Sequence, residues 1–228
     1  MHIDIVTLFP EMFRGPFGVS MVGRAVAQGL VSVNVVPLRP FGVGEHHLTD
    51  DYPYGGGPGM VMRPEPIVRA VEWARARVPA DGTVLVTSAQ GRPVTQRQLQ
   101  AWAKLPYLVL VAGHYEGIDQ RVVPLLDAEE VSIGDYVLTG GELPAMVIAD
   151  GVVRLLPGVL GASDGAAQDS FSGADGTLEG PQYTRPLTYR GLTVPEVLRS
   201  GHHENIRAWR LAEGVRAAER RTPDAGQR

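Results

Sequence analysis

Three glycine-containing segments carry residue types suited to enclosing a small flat ligand. They are residues 88–91, 113–117 and 134–141, and each follows a run of apolar and β-branched residues. Glycine lets the backbone approach a ligand closely and offer its N–H and C=O groups. Ligands of open α/β sheets bind at the carboxyl ends of strands, so the three segments together favour a purine-sized site. Taken singly, each is more typical of an ordinary strand-to-helix turn.

Several other kinds of chemistry are excluded. None of the three segments is a G-x-G-x-x-G run, which leaves a Rossmann dinucleotide or methyltransferase site unsupported. The chain has no cysteine, which excludes disulfides, thiolate metal sites, iron–sulfur clusters and a cysteine nucleophile. Lys104 is the one lysine, so a P-loop is excluded as well. His202 and His203 are adjacent and point to different sides, so we predict no metal site.

Two charged residues lie in unusual surroundings. Arg154 follows an apolar run, where it needs either a salt-bridge partner or an anionic ligand. Asp169 lies in a segment rich in Gly, Ala and Ser, where most aspartates only interact with solvent. The glycine- and proline-rich residues 50–60 cannot form regular structure, and composition leaves open whether they form a structured binding loop or a mobile one.

The charge is unevenly distributed. The net charge is −4, but residues 185–221 contain eight arginines and four glutamates, so they carry +4 and the remainder carries −8. Such a segment can bind a polyanion, although a solvated helix surface has the same composition. No apolar run reaches the roughly 20 residues that span a bilayer, and the N-terminal residues lack the pattern of a signal peptide. We therefore expect a cytoplasmic protein that does not bind membranes.

Strands alternate with helices up to about residue 160, which predicts an α/β domain with a mostly parallel sheet. The predicted strands are residues 2–8, 32–38, 83–87, 107–112 and 130–133, and the predicted helices are residues 20–30, 66–78, 95–104, 117–126 and 142–156. Residues 161–177 have the composition of a flexible linker. Predicted helices at 195–200 and 203–221 then indicate a small helical C-terminal domain over residues 178–228.

The order and spacing of these segments resemble the TrmD family of bacterial tRNA (guanine-N1)-methyltransferases. The matching stretches are residues 5–13, 51–62, 113–119, 132–150, 182–186 and 200–210. Separated motifs in the right order are far more specific than any single loop. One departure is His114, because the family usually has arginine before the Tyr-Glu-Gly-Ile-Asp run.

The resemblance implies a fold and an assembly. The fold would be of the SPOUT type, an α/β domain over residues 1–160 with a mostly parallel sheet and a deep C-terminal trefoil knot, followed by the linker and the small helical domain. General rules make knots nearly absent from proteins, so the knot follows from the resemblance alone. The protein would be a homodimer whose active site is shared between the subunits.

The resemblance also implies the ligands and the residues that bind them. S-adenosylmethionine would be held by Ser88, Gly113, Tyr115, Glu116, Gly117, Ile133, Gly134, Asp135, Tyr136, Val137, Leu138, Gly140, Gly141 and Pro144. The tRNA would be bound by Arg185, His203, Arg207 and Arg210. Whether Mg²⁺ also takes part is left open.

The implied reaction is methylation of N1 of the guanosine at position 37, just 3′ of the anticodon, which preserves the reading frame. Asp169 matches the position of the general base that removes the N1 proton, and Arg154 matches the position that pairs with guanine O6 and N7. We expect the linker to become ordered only when cofactor and tRNA are both bound. Two alternatives remain: a SPOUT RNA methyltransferase with another target base, and a non-catalytic RNA-binding protein.

Overall fold

The computed structural model describes residues 1–161, 169–173 and 177–221. The chain divides into two compact units, Met1–Ser163 and Asp164–Arg228. The strands are β1 (His2–Thr7), β2 (Ser32–Pro37), β3 (Asp50–Asp51), β4 (Val61–Met62), β5 (Gly82–Pro93), β6 (Tyr107–Val111), β7 (Glu129–Ser132), β8 (Thr188–Tyr189) and β9 (Leu192–Thr193). The α-helices are α1 (Ser20–Ala27), α2 (Pro64–Arg75), α3 (Gln96–Trp102), α4 (Val122–Leu126), α5 (Glu142–Val153) and α6 (His203–Arg221), and short 3-10 helices cover Pro10–Phe13, Pro16–Gly18, Arg39–Phe41 and Glu196–Arg199.

A five-stranded parallel sheet forms the centre of the first unit, with the strand order β2-β1-β6-β5-β7. All five residues of β6 are buried, and so are the last five of the six residues of β1. Parallel strands covered on both faces have this nearly continuous apolar sequence. The predicted α/β class with a mostly parallel sheet is confirmed.

Two apolar layers cover the faces of this sheet. Alternate residues of one strand enter different layers, because successive side chains point to opposite faces. Ile3 and Ile5 of β1 pack with α1, α3 and α5, whereas Val6 packs with α2 and α4. The two layers hold the strands so that the middle of β5 and the loops after β6 and β7 lie close together at one edge of the sheet.

The strand β5 is longer than the predicted strand of residues 83–87. Thr87 and Arg92 both pair with Val131 of β7, and the register shifts between them. Residues 88–91 therefore bulge out of the ladder within a continuing strand, and the predicted end of the strand at residue 87 is wrong. A bulge re-aims the backbone of a strand, and the end of this one stays against β7, since a Cβ added to Gly91 would lie 2.4 Å from the Val131 nitrogen.

The helix α4 begins later than predicted, whereas α1 begins at the predicted residue with an unusual backbone conformation. The helix predicted over residues 117–126 starts only at Val122, because the preceding residues pair with Met62. The Met62 N–H donates to the Gly117 carbonyl, and the Asp119 N–H donates to the Met62 carbonyl. Ser20 is the first residue of α1, with a positive φ of 56°, and the N-cap is Val19.

The second unit contains the long helix α6, which has the predicted bounds of residues 203–221. It also contains the small hairpin β8–β9, and this hairpin was not predicted from the sequence. The segment before the hairpin packs along α6: a Cβ added to Gly214 would lie 2.1 Å from the Leu178 carbonyl oxygen, and the rings of Tyr183 and Trp209 are 6.2 Å apart. Of the predicted linker, residues 162–168 and 174–176 lie outside the described residues.

Candidate functional site

A cavity of about 270 Å³ lies beside the bulge of β5 and at the carboxyl ends of β6 and β7. Its walls are the bulge after Thr87, the loop of residues 113–120 after β6, and the loop of residues 133–141 after β7. The sheet topology brings these loops together, since neighbouring parallel strands end at the same edge. The cavity is thus at the position where an open α/β sheet binds its ligand.

Nearly all of the residues that we assigned to the cofactor from the sequence line this cavity. They are Ser88, Gly113, Tyr115, Glu116, Gly117, Ile133, Gly134, Tyr136, Val137, Leu138, Gly140, Gly141 and Pro144. Asp135 is exposed and is not among the lining residues. The structure therefore brings thirteen of the fourteen residues to one place.

Close backbone contacts join two of the walls. The Gly141 N–H donates to the Gly113 carbonyl oxygen at 2.6 Å, and the Gly113 N–H donates to the Thr87 hydroxyl at 3.3 Å. A Cβ added to Gly141 would lie only 2.0 Å from Thr87 Oγ1 and 2.6 Å from the Gly113 nitrogen. Only glycine at position 141 permits this approach, so the sequence GG at 140–141 is a requirement of the site's shape.

The loop after β6 is held by the glycine-rich segment of residues 51–60. The Met60 carbonyl accepts from the Glu116 N–H at 3.0 Å, and a Cβ added to Gly59 would lie 2.4 Å from Glu116 Oε1. Tyr52 and Tyr54 on this segment are 80% and 100% exposed. The segment is thus a structured loop whose C-terminal end lies against a cavity residue.

Tyr115 has a left-handed backbone conformation, with a φ of 60°. Burial of its hydroxyl, followed by the nearby Asp50 carboxylate, raises the pKa of Tyr115. The phenol is therefore neutral over a wider pH range and can act as a hydrogen-bond donor.

Several polar residues that line the cavity were not assigned to the cofactor from the sequence. Thr87, His114 and Gln90 line the cavity, and Thr87 also donates a hydrogen bond to the Val111 carbonyl at 3.2 Å. Their positions next to Ser88 and Gly113 were the available signal. Glu142 lies behind the cavity and is 1% exposed. The sequence feature that could have identified it is an acidic residue at the start of an otherwise apolar helix.

The residues expected to carry out the chemistry and to bind RNA lie in both units. Arg154 is the C-cap of α5 and is half-buried, and Asp169 is a half-buried residue whose carbonyl accepts from the Ser172 N–H at 3.1 Å. The four residues assigned to tRNA are all exposed: Arg185, His203, Arg207 and Arg210. The last three are spaced four and three residues apart on α6, which places them on one face of the helix.

The described residues contain no group of three or more His, Asp or Glu side chains arranged to hold a metal ion. Among the same residues, no helix is both long enough and apolar enough to cross a bilayer.

Comparison with known proteins identifies the family. The model of the family described as tRNA (Guanine-1)-methyltransferase TrmD matches residues 1–228. A relative from Moorella thermoacetica is 52% identical over 229 residues, covering 98% of this chain and 89% of the relative. One from Pelotomaculum thermopropionicum is 54% identical over 223 residues (97% and 88%), and one from Bacillus velezensis is 49% identical over 224 residues (98% and 91%). Each of the three relatives is named tRNA (guanine-N(1)-)-methyltransferase. With a match over its whole length, the chain belongs to the TrmD family of tRNA (guanine-1)-methyltransferases.

Proposed function

We propose that this protein transfers a methyl group from S-adenosylmethionine to N1 of guanosine 37 in tRNA. The observation that carries the proposal is the match to the TrmD family along the whole chain, supported by relatives of about 50% identity that are named for the same activity. The cavity at the sheet edge supports it independently, because its size and its position in the sheet are those of a small-ligand site. The reaction on tRNA suggests the cytoplasm as the place of action.

The cavity residues fit S-adenosylmethionine. Gly113 and Gly141 keep the backbone of two walls within hydrogen-bond distance of each other, which forms a narrow cleft suited to a flat adenine. The Glu116 carboxylate at the rim can accept from ribose hydroxyls or face a cation. Tyr136, Val137 and Leu138 add apolar surface. When bound, the cofactor supplies a methyl group already activated by a positively charged sulfur.

The chain's own residues must then prepare the guanine. Guanine N1 carries a proton at neutral pH, and the Asp169 carboxylate is the group proposed to accept it. Negative charge develops towards O6 as this proton leaves. The Arg154 guanidinium can meet O6 and N7 with two parallel hydrogen bonds and thereby stabilise that charge. Its half-buried position at the end of α5 strengthens this interaction, since solvent screens it less.

The second unit is the proposed tRNA-binding part. His203, Arg207 and Arg210 present one exposed face of α6 to the phosphate backbone, and the exposed Arg185 adds a further charge. We also propose that the unit is the small C-terminal domain of the family and that residues after β7 form the trefoil knot. The second proposal rests on the family resemblance, and the antiparallel bridge between His114 and Gly140 shows that the loops after β6 and β7 lie against each other.

A homodimer with a shared site completes the proposal. Leu143 and Val147 lie one turn apart on the outer face of α5 and are 49% and 53% exposed, and Phe9 and Met12 are 38% and 44% exposed. Exposed apolar residues at helical spacing next to a binding cavity are typical of a subunit interface.

The test is transfer of a labelled methyl group to a tRNA transcript with guanosine at position 37. We expect transfer to this transcript, none when that base is changed to adenosine, and a loss of at least about 100-fold in kcat with Asp169→Asn, because the base is removed. Asp81→Asn, at an exposed position before β5, is the matched control and should retain activity. Equal transfer to both transcripts would show a different target base, and full activity of Asp169→Asn would remove Asp169 from the mechanism.

A further inference from the structure

A buried carboxylate behind the cofactor cavity is not used by the reaction described above. Glu142 opens α5, is 1% exposed and does not line the cavity. Burying a carboxylate is costly unless hydrogen bonds or an opposite charge compensate it. The groups around Glu142 should therefore show what this residue does.

Two groups face the two oxygens of Glu142. The Thr7 hydroxyl, at the end of β1, donates to Oε1 at 2.9 Å. The Nδ1 atom of His114 lies 3.7 Å from Oε2, which is an ion-pair distance. This Nδ1 is itself buried and has no hydrogen-bond partner among the described residues. The carboxylate is thus fixed by the sheet on one side and faces the cavity residue His114 on the other.

His114 joins the two loops that form the cavity walls. It lines the cavity, forms an antiparallel bridge with Gly140, and lies with its ring centroid 4.7 Å from that of Phe9. A Cβ added to Gly140 would lie 2.4 Å from Glu142 Oε2 and 2.6 Å from His114 Nδ1. The absence of a side chain at position 140 therefore lets the imidazole and the carboxylate approach each other across the loop.

We propose that Glu142 is a positioning residue of the cofactor site, acting through His114 to fix the loops of residues 113–117 and 133–141 against each other. The proposal rests on the proposed function only in taking S-adenosylmethionine as the ligand. The Glu142 carboxylate attracts the polar edge of the imidazole across the 3.7 Å between Oε2 and Nδ1, and the bridge to Gly140 carries this constraint to the second loop. Without this constraint the two loops spend less time in the arrangement that binds the ligand. The affinity for the ligand therefore falls, whereas the rate of methyl transfer at saturating ligand is retained.

The test measures the Kd of S-adenosylhomocysteine by calorimetry, which is independent of methyl transfer. Glu142→Gln should weaken binding by about tenfold, because it removes the charge that orients His114. In the His114→Ala background, Glu142→Gln should add no further loss, since the two residues act as one unit. With saturating cofactor, kcat of Glu142→Gln should stay within about twofold of the wild type.

A second buried carboxylate provides the control. Asp4 is 5% exposed, accepts hydrogen bonds from Tyr107 and Asn34, and lies in the amino-terminal half of the same sheet. Asp4→Asn should lower the melting temperature and leave the Kd unchanged. A merely structural role for Glu142 would give this same result in Glu142→Gln.

Three results would overturn the inference: an unchanged Kd in folded Glu142→Gln, a full additional loss in the His114→Ala background, and a wild-type protein that binds no S-adenosylhomocysteine. If Glu142→Gln does not fold, His114→Gln takes its place and must also weaken binding, and an unchanged Kd would reject the role. A wild-type protein that binds the ligand but methylates no tRNA would refute the proposed function and leave this inference standing.

Discussion

Single buried side chains connect distant parts of the sheet. The Tyr107 hydroxyl, at the start of β6, donates to Asp4 Oδ2 at 2.6 Å, and Asn34 Nδ2 donates to Asp4 Oδ1 at 2.9 Å. Burial, followed by the hydrogen bond to Asp4, raises the pKa of Tyr107 well above its usual range. These contacts tie β1, β2 and β6 together at the edge opposite the cavity.

Replacing Tyr107 by phenylalanine should change stability in a pH-dependent way. At neutral pH we expect a loss of about 1–2 kcal/mol in the free energy of unfolding, because the buried Asp4 loses a donor. A raised pKa in the folded state stabilises the protein below the pKa of the unfolded chain, about 10 for tyrosine, and this contribution is lost as the pH rises further. The difference between wild type and Tyr107→Phe should therefore shrink above about pH 10.

Urea unfolding followed at pH 7, 9 and 10.5 would measure this. Equal free energies of unfolding for the wild type and Tyr107→Phe at pH 7 would show that the hydrogen bond contributes nothing to stability. A constant difference across the series would show that Tyr107 ionises alike in both states.

Gly141 should tolerate no side chain. A Cβ there would overlap Thr87 Oγ1 at 2.0 Å and approach the Gly113 nitrogen at 2.6 Å, so the two walls must separate. We expect Gly141→Ala to weaken S-adenosylhomocysteine binding by at least about tenfold, which is about 1.4 kcal/mol. Gly15→Ala is the control, because a Cβ at that position meets nothing within 4 Å and its φ is −70°. Calorimetry on both variants would decide, and wild-type affinity in Gly141→Ala would contradict the requirement for glycine.

Among the elements, α3 has the most complete local signal. Thr95 is its N-cap: the Thr95 hydroxyl accepts from the Gln98 N–H at 3.4 Å, and Gln98 Oε1 accepts from the Thr95 N–H at 2.9 Å. The sequence predicted this helix for residues 95–104, close to the observed bounds, because a capping box acts over three residues and needs no distant partner.

Removing the cap should destabilise the first unit. We expect Thr95→Ala to lower the free energy of unfolding by about 1 kcal/mol and Thr95→Ser to lower it far less, since serine keeps the hydroxyl. Thermal unfolding of the two variants gives the comparison. Equal losses in both would assign the effect to the lost methyl group instead of the cap.

Elements that depend on distant partners were predicted less well. β5 extends to Pro93 because β7 pairs with it on both sides of the bulge, and nothing in residues 88–91 indicates that partner. The start of α4 is delayed by the pairing of Met62 with residues 117–119, which are more than 50 positions away. The location of the cavity followed from glycine loops after strands, whereas Glu142 was missed because its partners, Thr7 and His114, are distant in sequence.

At the scale of the whole molecule, the proposed dimer makes the outer face of α5 essential. Replacing both Leu143 and Val147 by glutamate places two charges where an apolar interface is proposed, and should yield a monomer with methyl transfer reduced at least about 100-fold, because the shared site is lost. Light scattering after size-exclusion chromatography measures the mass. Leu125→Glu, on a 64% exposed leucine of α4, is the control and should stay dimeric. A monomeric wild type, or an active monomeric variant, would reject the shared site.

The position of β1 within the sheet has a consequence for how the protein is made. This strand comes first in the chain, yet it lies inside the sheet and pairs with β6, where His2 meets Tyr107. At the usual synthesis rate of about 5–20 residues per second, the ribosome needs roughly 5–20 s to reach that partner. During this interval β1 can pair with β2 but not with β6, so its apolar side chains stay partly exposed. We therefore expect ribosome-associated chaperones to bind the nascent chain until β6 emerges.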